Sequence, residues 1–107
     1  MKIRVIATLM AVILTAKLGR ITFNGHQETY YNLNMDNVTE RTDKALGKTD
    51  MYWVRDDGVK MYAQWVIVAA HPSKIRYSRI QTSLGEGIIL DAHTSPDTEL
   101  IDIATTW

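Results

Sequence analysis

The chain has 107 residues, 46% of them hydrophobic and 22% charged, which suits one domain with a small core and excludes a disordered chain. Twelve Lys+Arg balance twelve Asp+Glu and are scattered, so the basic footprint of a nucleic-acid binder is absent. No cysteine is present, which excludes disulfides and thiolate zinc sites; His26, His71 and His93 are far apart, and neither a metal nor a cofactor is expected.

The N-terminus is basic through Arg4, almost wholly apolar over residues 5–16, and polar again at Lys17. That is the layout of a secretory signal peptide cut after Leu14-Thr15-Ala16, leaving residues 17–107 as a single secreted or cell-surface domain. The apolar stretch is too short for a stable membrane span. The alternative is a buried strand or helix of the domain, which would go with an uncut, intracellular protein.

Residues 20–23 alternate and predict a first strand ended by Asn24-Gly25, and Thr29-Tyr30-Tyr31 predicts a short aromatic one. Residues 34–46 carry Met35, Val38, Thr42, Ala45 and Leu46 at helical spacing, with Asn37 and Glu40 as a capping box and Gly47 just past the end. Residues 51–54 and 59–62 flank Asp56-Asp57-Gly58 and predict a hairpin, its two aspartates read as a solvated turn. Trp65-Val-Ile-Val-Ala-Ala70 predicts a strand buried on both faces and stopped by His71-Pro72. Strands over 78–82, 87–91 and 100–105 complete a mainly β chain with one helix. So many short strands suit a small barrel better than a flat open sheet.

Two carboxylates stand out. Asp91 ends the aliphatic run Ile88-Ile89-Leu90, and Asp102 lies inside Leu100-Ile-Asp-Ile-Ala104. Acids in such surroundings are costly unless hydrogen-bonded and tend to have perturbed pKa values, which makes them candidate site residues. Other motifs lead nowhere. Asn37-Val38-Thr39 matches a glycosylation acceptor but falls inside the helix, Leu84-Gly85-Glu86-Gly87 lacks a following helix and lysine, and no serine sits in a nucleophile elbow.

The order of Thr29-Tyr30-Tyr31, the helix, Trp65-Val-Ile-Val-Ala-Ala70, Thr82-Ser-Leu-Gly-Glu-Gly87, Leu90-Asp91 and Ile101-Asp102-Ile103 resembles the three-aspartate (3D) domain. That family is a small, six-stranded double-psi β-barrel of secreted bacterial cell-wall proteins and some phage-encoded ones. The resemblance covers residues 28–107. It matches Asp91 and Asp102 to the family's second and third aspartates, while Ala70-His71-Pro72 stands where the first would be. Barrels of related type include peptidoglycan lytic transglycosylases. The resemblance therefore implies a protein acting on peptidoglycan or another cell-wall glycan, with Asp91 as acid/base and Asp102 as its tuning or orienting partner. Thr29, Tyr31, His93 and Thr94 would line the substrate groove. Tyr52, Trp53, Tyr62 and Trp65 read as core, with stacking on sugars as the other use. The competing expectation is a non-catalytic barrel of phage or mobile-element origin that binds cell-wall glycan or protein.

Overall fold

A computed structural model describes residues 20–107, and the apolar segment expected to be a signal peptide lies outside the described residues. In chain order the elements are β1 (Ile21–Phe23), β2 (His26–Tyr31), α1 (Asp36–Leu46), β3 (Tyr52–Val54), β4 (Lys60–Tyr62), β5 (Trp65–Ala70), β6 (Arg79–Thr82), β7 (Gly85–Ala92) and β8 (Ile101–Ala104). The described residues are mainly β with one helix, as the sequence predicts. Among the described residues the strands number eight rather than six, and all join one hydrogen-bonded sheet that runs β1-β2-β8-β5-β4-β3, with β7 on the other edge of β5 and β6 beyond it. The path does not close on itself.

Strand β5 is the hub because its side chains can be buried on both sides. Val66, Val68 and Ala70 enter one apolar cluster with Val59, Met61, Ile89, Ile101 and Ile103. Ile67 enters the other with Met35, Tyr62, Ile88, Leu90 and Ala104. Ile67 and Val68 are fully buried, each worth about 1.5–3 kcal/mol of apolar burial. On one edge β5 pairs in parallel with β7; the other edge is shared by β4, at Trp65 and Val66, and by antiparallel β8, at Val68 and Ala69. Strand β8 in turn pairs in parallel with β2.

Helix α1 covers the second cluster. It begins two residues later than its periodicity predicts, and Asn37 and Glu40 lie inside it rather than capping it. The entry is fixed by Met35, which is buried and whose carbonyl accepts the Thr39 N–H at 2.8 Å, while Asn34 Oδ1 accepts the Asp36 N–H. Ala45, expected on the buried face, is exposed. Thr39 and Thr42 take the inward side instead, their hydroxyls donating to the Met35 and Val38 carbonyls, so no polar atom is stranded. Gly47 ends the helix at φ 65°, as expected.

The β3–β4 hairpin turns at Arg55–Gly58 as predicted, but Asp57 is no solvated turn residue. Its carboxylate accepts Arg55 Nε at 3.0 Å and Nη2 at 2.9 Å, and also the Val59 N–H. Burial pushes this carboxyl up, but the hydrogen bonds and charge of Arg55, with the Val59 N–H, hold it below its ordinary value. Gly58, at φ 86°, lies under the C-terminal residues. Trp107 Nε1 donates to the Asp57 carbonyl, and a Cβ on Gly58 would stand 2.8 Å from Trp107 Cδ1.

Candidate functional site

The pairing of β5 with both β7 and β8 brings the two candidate acids together. Ala69 is in register with Asp91 on one side and with Asp102 on the other. Asp102 is in register with Thr29 on β2. Residues opposite one another point to the same face, so Thr29, Asp102, Ala69 and Asp91 form one row across four strands, on the side of the sheet that α1 packs against. Two interstrand steps separate the acids, which puts their Cα atoms about 10 Å apart. Ala69 is the residue between them and is only 4% exposed.

Asp91 reaches this face through a β-bulge. The register between β5 and β7 shifts after Val68, from Val68↔Ile89 to Ala69↔Asp91, leaving Leu90 as the extra residue. Without it, strict alternation would send Asp91 to the opposite face; the bulge re-aims it alongside Leu90. Asp91 is therefore inside β7 rather than at its end, half-buried, with its Oδ1 accepting the N–H of Ala92.

Asp102 is the more constrained acid. The Thr29 hydroxyl donates to its Oδ1 at 2.8 Å. Burial pushes its carboxyl above the ordinary carboxylate value, while the Thr29 hydrogen bond and the nearby His93 pull partly the other way. Tyr31, two residues beyond Thr29 on the same face, feels both acids. Its hydroxyl is pushed up first by burial and then by the charges of Asp91 and Asp102, and it donates to Met35 Sδ at 3.7 Å.

His93 joins the row from the loop after β7. Its backbone N–H donates to the Ala70 carbonyl, and its Nε2–H donates to the Leu100 carbonyl at 2.8 Å. That bond fixes the tautomer and leaves Nδ1 buried without a hydrogen-bond partner. The ring meets His71 edge-on at 6.1 Å. Thr94 is exposed, and no hydrogen bond ties its side chain to the row among the described residues. Thr29, Tyr31, His93, Asp91 and Asp102 are thus brought together, and Thr94 is left at the margin. Of the aromatics read as core, Tyr62 is fully buried, but Trp53 is 46% exposed.

Sequence reasoning missed Glu28. This carboxylate is fully buried on the opposite face of β2, where Oε1 accepts the Ser83 hydroxyl at 2.5 Å and Oε2 accepts the Ser83 N–H at 2.9 Å. His26 Nε2 is 3.4 Å away. The Tyr30 hydroxyl lies beside this pair without a well-formed hydrogen bond, and burial first, then the Glu28 charge, pushes it up to about 12. Glu28 ties β2 to the β6–β7 turn.

Among the described residues, no group of three or more His, Asp or Glu side chains is arranged to hold a metal, and no helix is long and apolar enough to cross a membrane. The row offers a carboxyl biased toward its protonated form, a second carboxylate across a small residue, and a hydroxyl and an imidazole beside them. Such a set can donate a proton to a leaving oxygen and stabilise the positive charge that develops when a glycosidic bond breaks. No protein-family model, curated protein or solved structure matches this chain, so any function for the row must be carried by its own geometry.

Proposed function

We propose that this protein acts on a cell-wall glycan and cleaves it as a lytic transglycosylase does, with the Thr29–Asp102–Ala69–Asp91 row as its active site. The observation that carries this reading is the pairing, on one face, of a carboxyl pushed toward its neutral form with a second carboxylate two strands away, on the far side of Ala69. That asymmetry divides the roles, and it reverses those expected from the sequence. Asp102 is the acid: it protonates the glycosidic oxygen, then accepts the proton of the sugar's own 6-hydroxyl as that oxygen closes the 1,6-anhydro ring. Asp91 supplies the negative charge that favours the cationic transition state. Thr29 orients the Asp102 carboxyl, and Tyr31 and His93 border the groove.

The two parallel ladders, β2 with β8 and β5 with β7, crossed by the antiparallel β5–β8 pair, support a three-aspartate-type double-psi barrel as the parent architecture. Secretion or display at the cell surface goes with this reading. A second reading, a barrel that binds the wall without cutting it, is favoured by one observation: His71 stands where the family's first aspartate would be.

Digestion of purified peptidoglycan, read by mass spectrometry, separates the two. Anhydro-ended products from the wild type, lost in Asp102→Asn and at least about tenfold reduced in Asp91→Asn, are expected. Folded wild-type protein that pellets with the wall and releases nothing would leave the binding reading.

A further inference from the structure

Strand β3 ends the sheet. It pairs with β4 on one side and with no strand among the described residues on the other. The hairpin register says which of its backbone groups are left over. The Ala63 N–H donates to the Met51 carbonyl and the Arg55 N–H to the Val59 carbonyl, so the hydrogen-bonded positions of β3 and its flanks are Met51, Trp53 and Arg55. The N–H and C=O groups of Tyr52 and Val54 therefore point outward, where no strand among the described residues meets them.

Natural sheets blunt such edges with charge or proline, as Arg79 does on β6; Tyr52-Trp53-Val54 carries neither. Trp53 and Val54 are instead 46% and 43% exposed. The Trp53 indole N–H donates to the Ala63 carbonyl at 2.7 Å, which holds the ring against the hairpin as a ready apolar surface.

Beside this edge stands an acidic wall. Asp36, Glu40 and Asp43 follow one side of α1 at spacings of four and three residues, and with Asp50 and Tyr52 they line a cleft of about 200 Å³. Among the described residues none of these four carboxylates is in an ion pair. The donors that Asp43 accepts, the Tyr62 hydroxyl at 2.6 Å and the Asp50 N–H at 3.2 Å, are neutral and leave its charge in place. Two cations stand near the wall. Lys44 makes no ion pair with Glu40, one turn before it, and Lys60 turns its ammonium to Asn32 Oδ1 and the Leu33 carbonyl. Even with both counted, carboxylates outnumber cations here. The field reaches the edge strand: burial first, and then the Asp36 charge, push the Tyr52 hydroxyl above its ordinary value.

We propose that the free edge of β3 takes up an extended basic segment of a partner protein as an added strand. Its backbone pairs with the outward groups of Tyr52 and Val54, and its alternate basic side chains face Asp36, Glu40 and Asp43. Tyr52 and Val54 oppose Tyr62 and Lys60 on the face that α1 covers, whereas Trp53 opposes Met61 on the other. Alternation thus sends the basic residues to the acidic wall and the residues between them to the Trp53 side. This edge is separate from the acid row, and the proposal stands apart from any action on glycan.

The test titrates the full protein at low salt with the peptide acetyl-Lys-Val-Lys-Val-Lys-amide, followed by NMR. The backbone N–H resonances of Tyr52 and Val54 and the indole N–H of Trp53 should shift, and hydrogen exchange at the Val54 N–H should slow. The peptide with glutamates in place of lysines should bind at least about tenfold more weakly, and Asp36→Asn with Glu40→Gln, both exposed positions, should weaken the lysine peptide about fivefold. A lysine peptide with an N-methylated backbone should not bind. Equal binding of the lysine and glutamate peptides would overturn the charge recognition, and undiminished binding of the N-methylated one would overturn strand addition. The same shifts from micromolar calcium chloride alone would give the wall to a metal ion instead. Shifts of Trp53 and Val54 with protein concentration alone would make the edge a contact between two copies of this chain. No shift at Val54 with the lysine peptide would sink the proposal and leave the glycan reading untouched.

Discussion

Replacing Glu28 tests whether its buried carboxylate holds the sheet together. In Glu28→Ala the Ser83 N–H and hydroxyl both lose their acceptor. Hydrogen bonds to a charged group contribute about 1.5–3 kcal/mol each, and Ser83 is half-buried, so water can recover part of the loss. A net cost of about 3 kcal/mol follows, or about 15 °C in Tm for a domain of this size. Glu28→Gln should behave differently. Its amide oxygen can still accept the Ser83 N–H, and its NH2 can donate to the Ser83 hydroxyl, which rotates to suit, so the loss should stay within about 1 kcal/mol. Urea unfolding followed by circular dichroism measures both. Ultraviolet titration adds an independent check. The Tyr30 phenol, pushed up to about 12 by burial and then by Glu28, should titrate lower in Glu28→Gln yet remain above the ordinary tyrosine value, because burial persists. A loss below about 1 kcal/mol in Glu28→Ala, or equal losses in both variants, would refute the tie.

Asp102 should make stability fall as pH rises. Its folded carboxyl is pushed up by burial, so its contribution is complete below the unfolded value of about 3.9 and is lost as pH climbs through the folded one. Asp102→Asn should therefore have a higher Tm than wild type at pH 7 and a similar one near pH 3; a lower Tm at pH 7 would contradict this. Asp57 has the opposite sign. Held low by Arg55 against its burial, it stabilises above about pH 3.9 and stops doing so as pH falls through its folded value. Asp57→Ala should cost about 2 kcal/mol at pH 7 by urea unfolding, and markedly less at pH 2. Gly58→Ala combines a positive φ with a Cβ pressed against Thr106 and Trp107, and should cost about 2 kcal/mol. Trp107 fluorescence should show its ring displaced.

Strand β5, the helix and the Asp57-Gly58 turn were legible because each rests on a local signal: an unbroken aliphatic run, a 3.6-residue period, a turn dipeptide. The two acids were legible as polar residues in apolar runs. The row they form was not, because it depends on β5 pairing with two strands distant in sequence and on a bulge at Leu90 that no local signal marks. The division of roles was hidden for the same reason. Asp91 and Asp102 look alike in sequence, and only the hydroxyl of Thr29, 73 residues earlier, and the depth of burial set Asp102 apart. Glu28 escaped notice because His26-Gln-Glu-Thr-Tyr-Tyr31 puts polar and aromatic groups on both faces, so alternation does not say which face is buried. The helix starts ahead of Asn37, which therefore cannot cap it, because Met35 is buried and its carbonyl takes the first helical hydrogen bond.

Adjacent residues of β2 serve stability and site separately, and that links the two faces of the sheet. Glu28 points into one cluster and anchors β2 to Ser83; Thr29 points to the other face and holds Asp102. The β2–β8 register places Thr29 opposite Asp102, and a slip of one residue would put Glu28 or Tyr30 there and turn every side chain of β2 to the wrong face. Thr29 is a weak anchor by itself, since one hydroxyl hydrogen bond to a half-exposed carboxylate would not fix a strand. The buried tie to Ser83 supplies the specificity, because a displaced Glu28 would leave a carboxylate in an apolar cluster without its donors. The far face thus sets the geometry of the near one. A change at Glu28 that leaves the protein folded but loosens this register should impair the acid row without touching any residue in it.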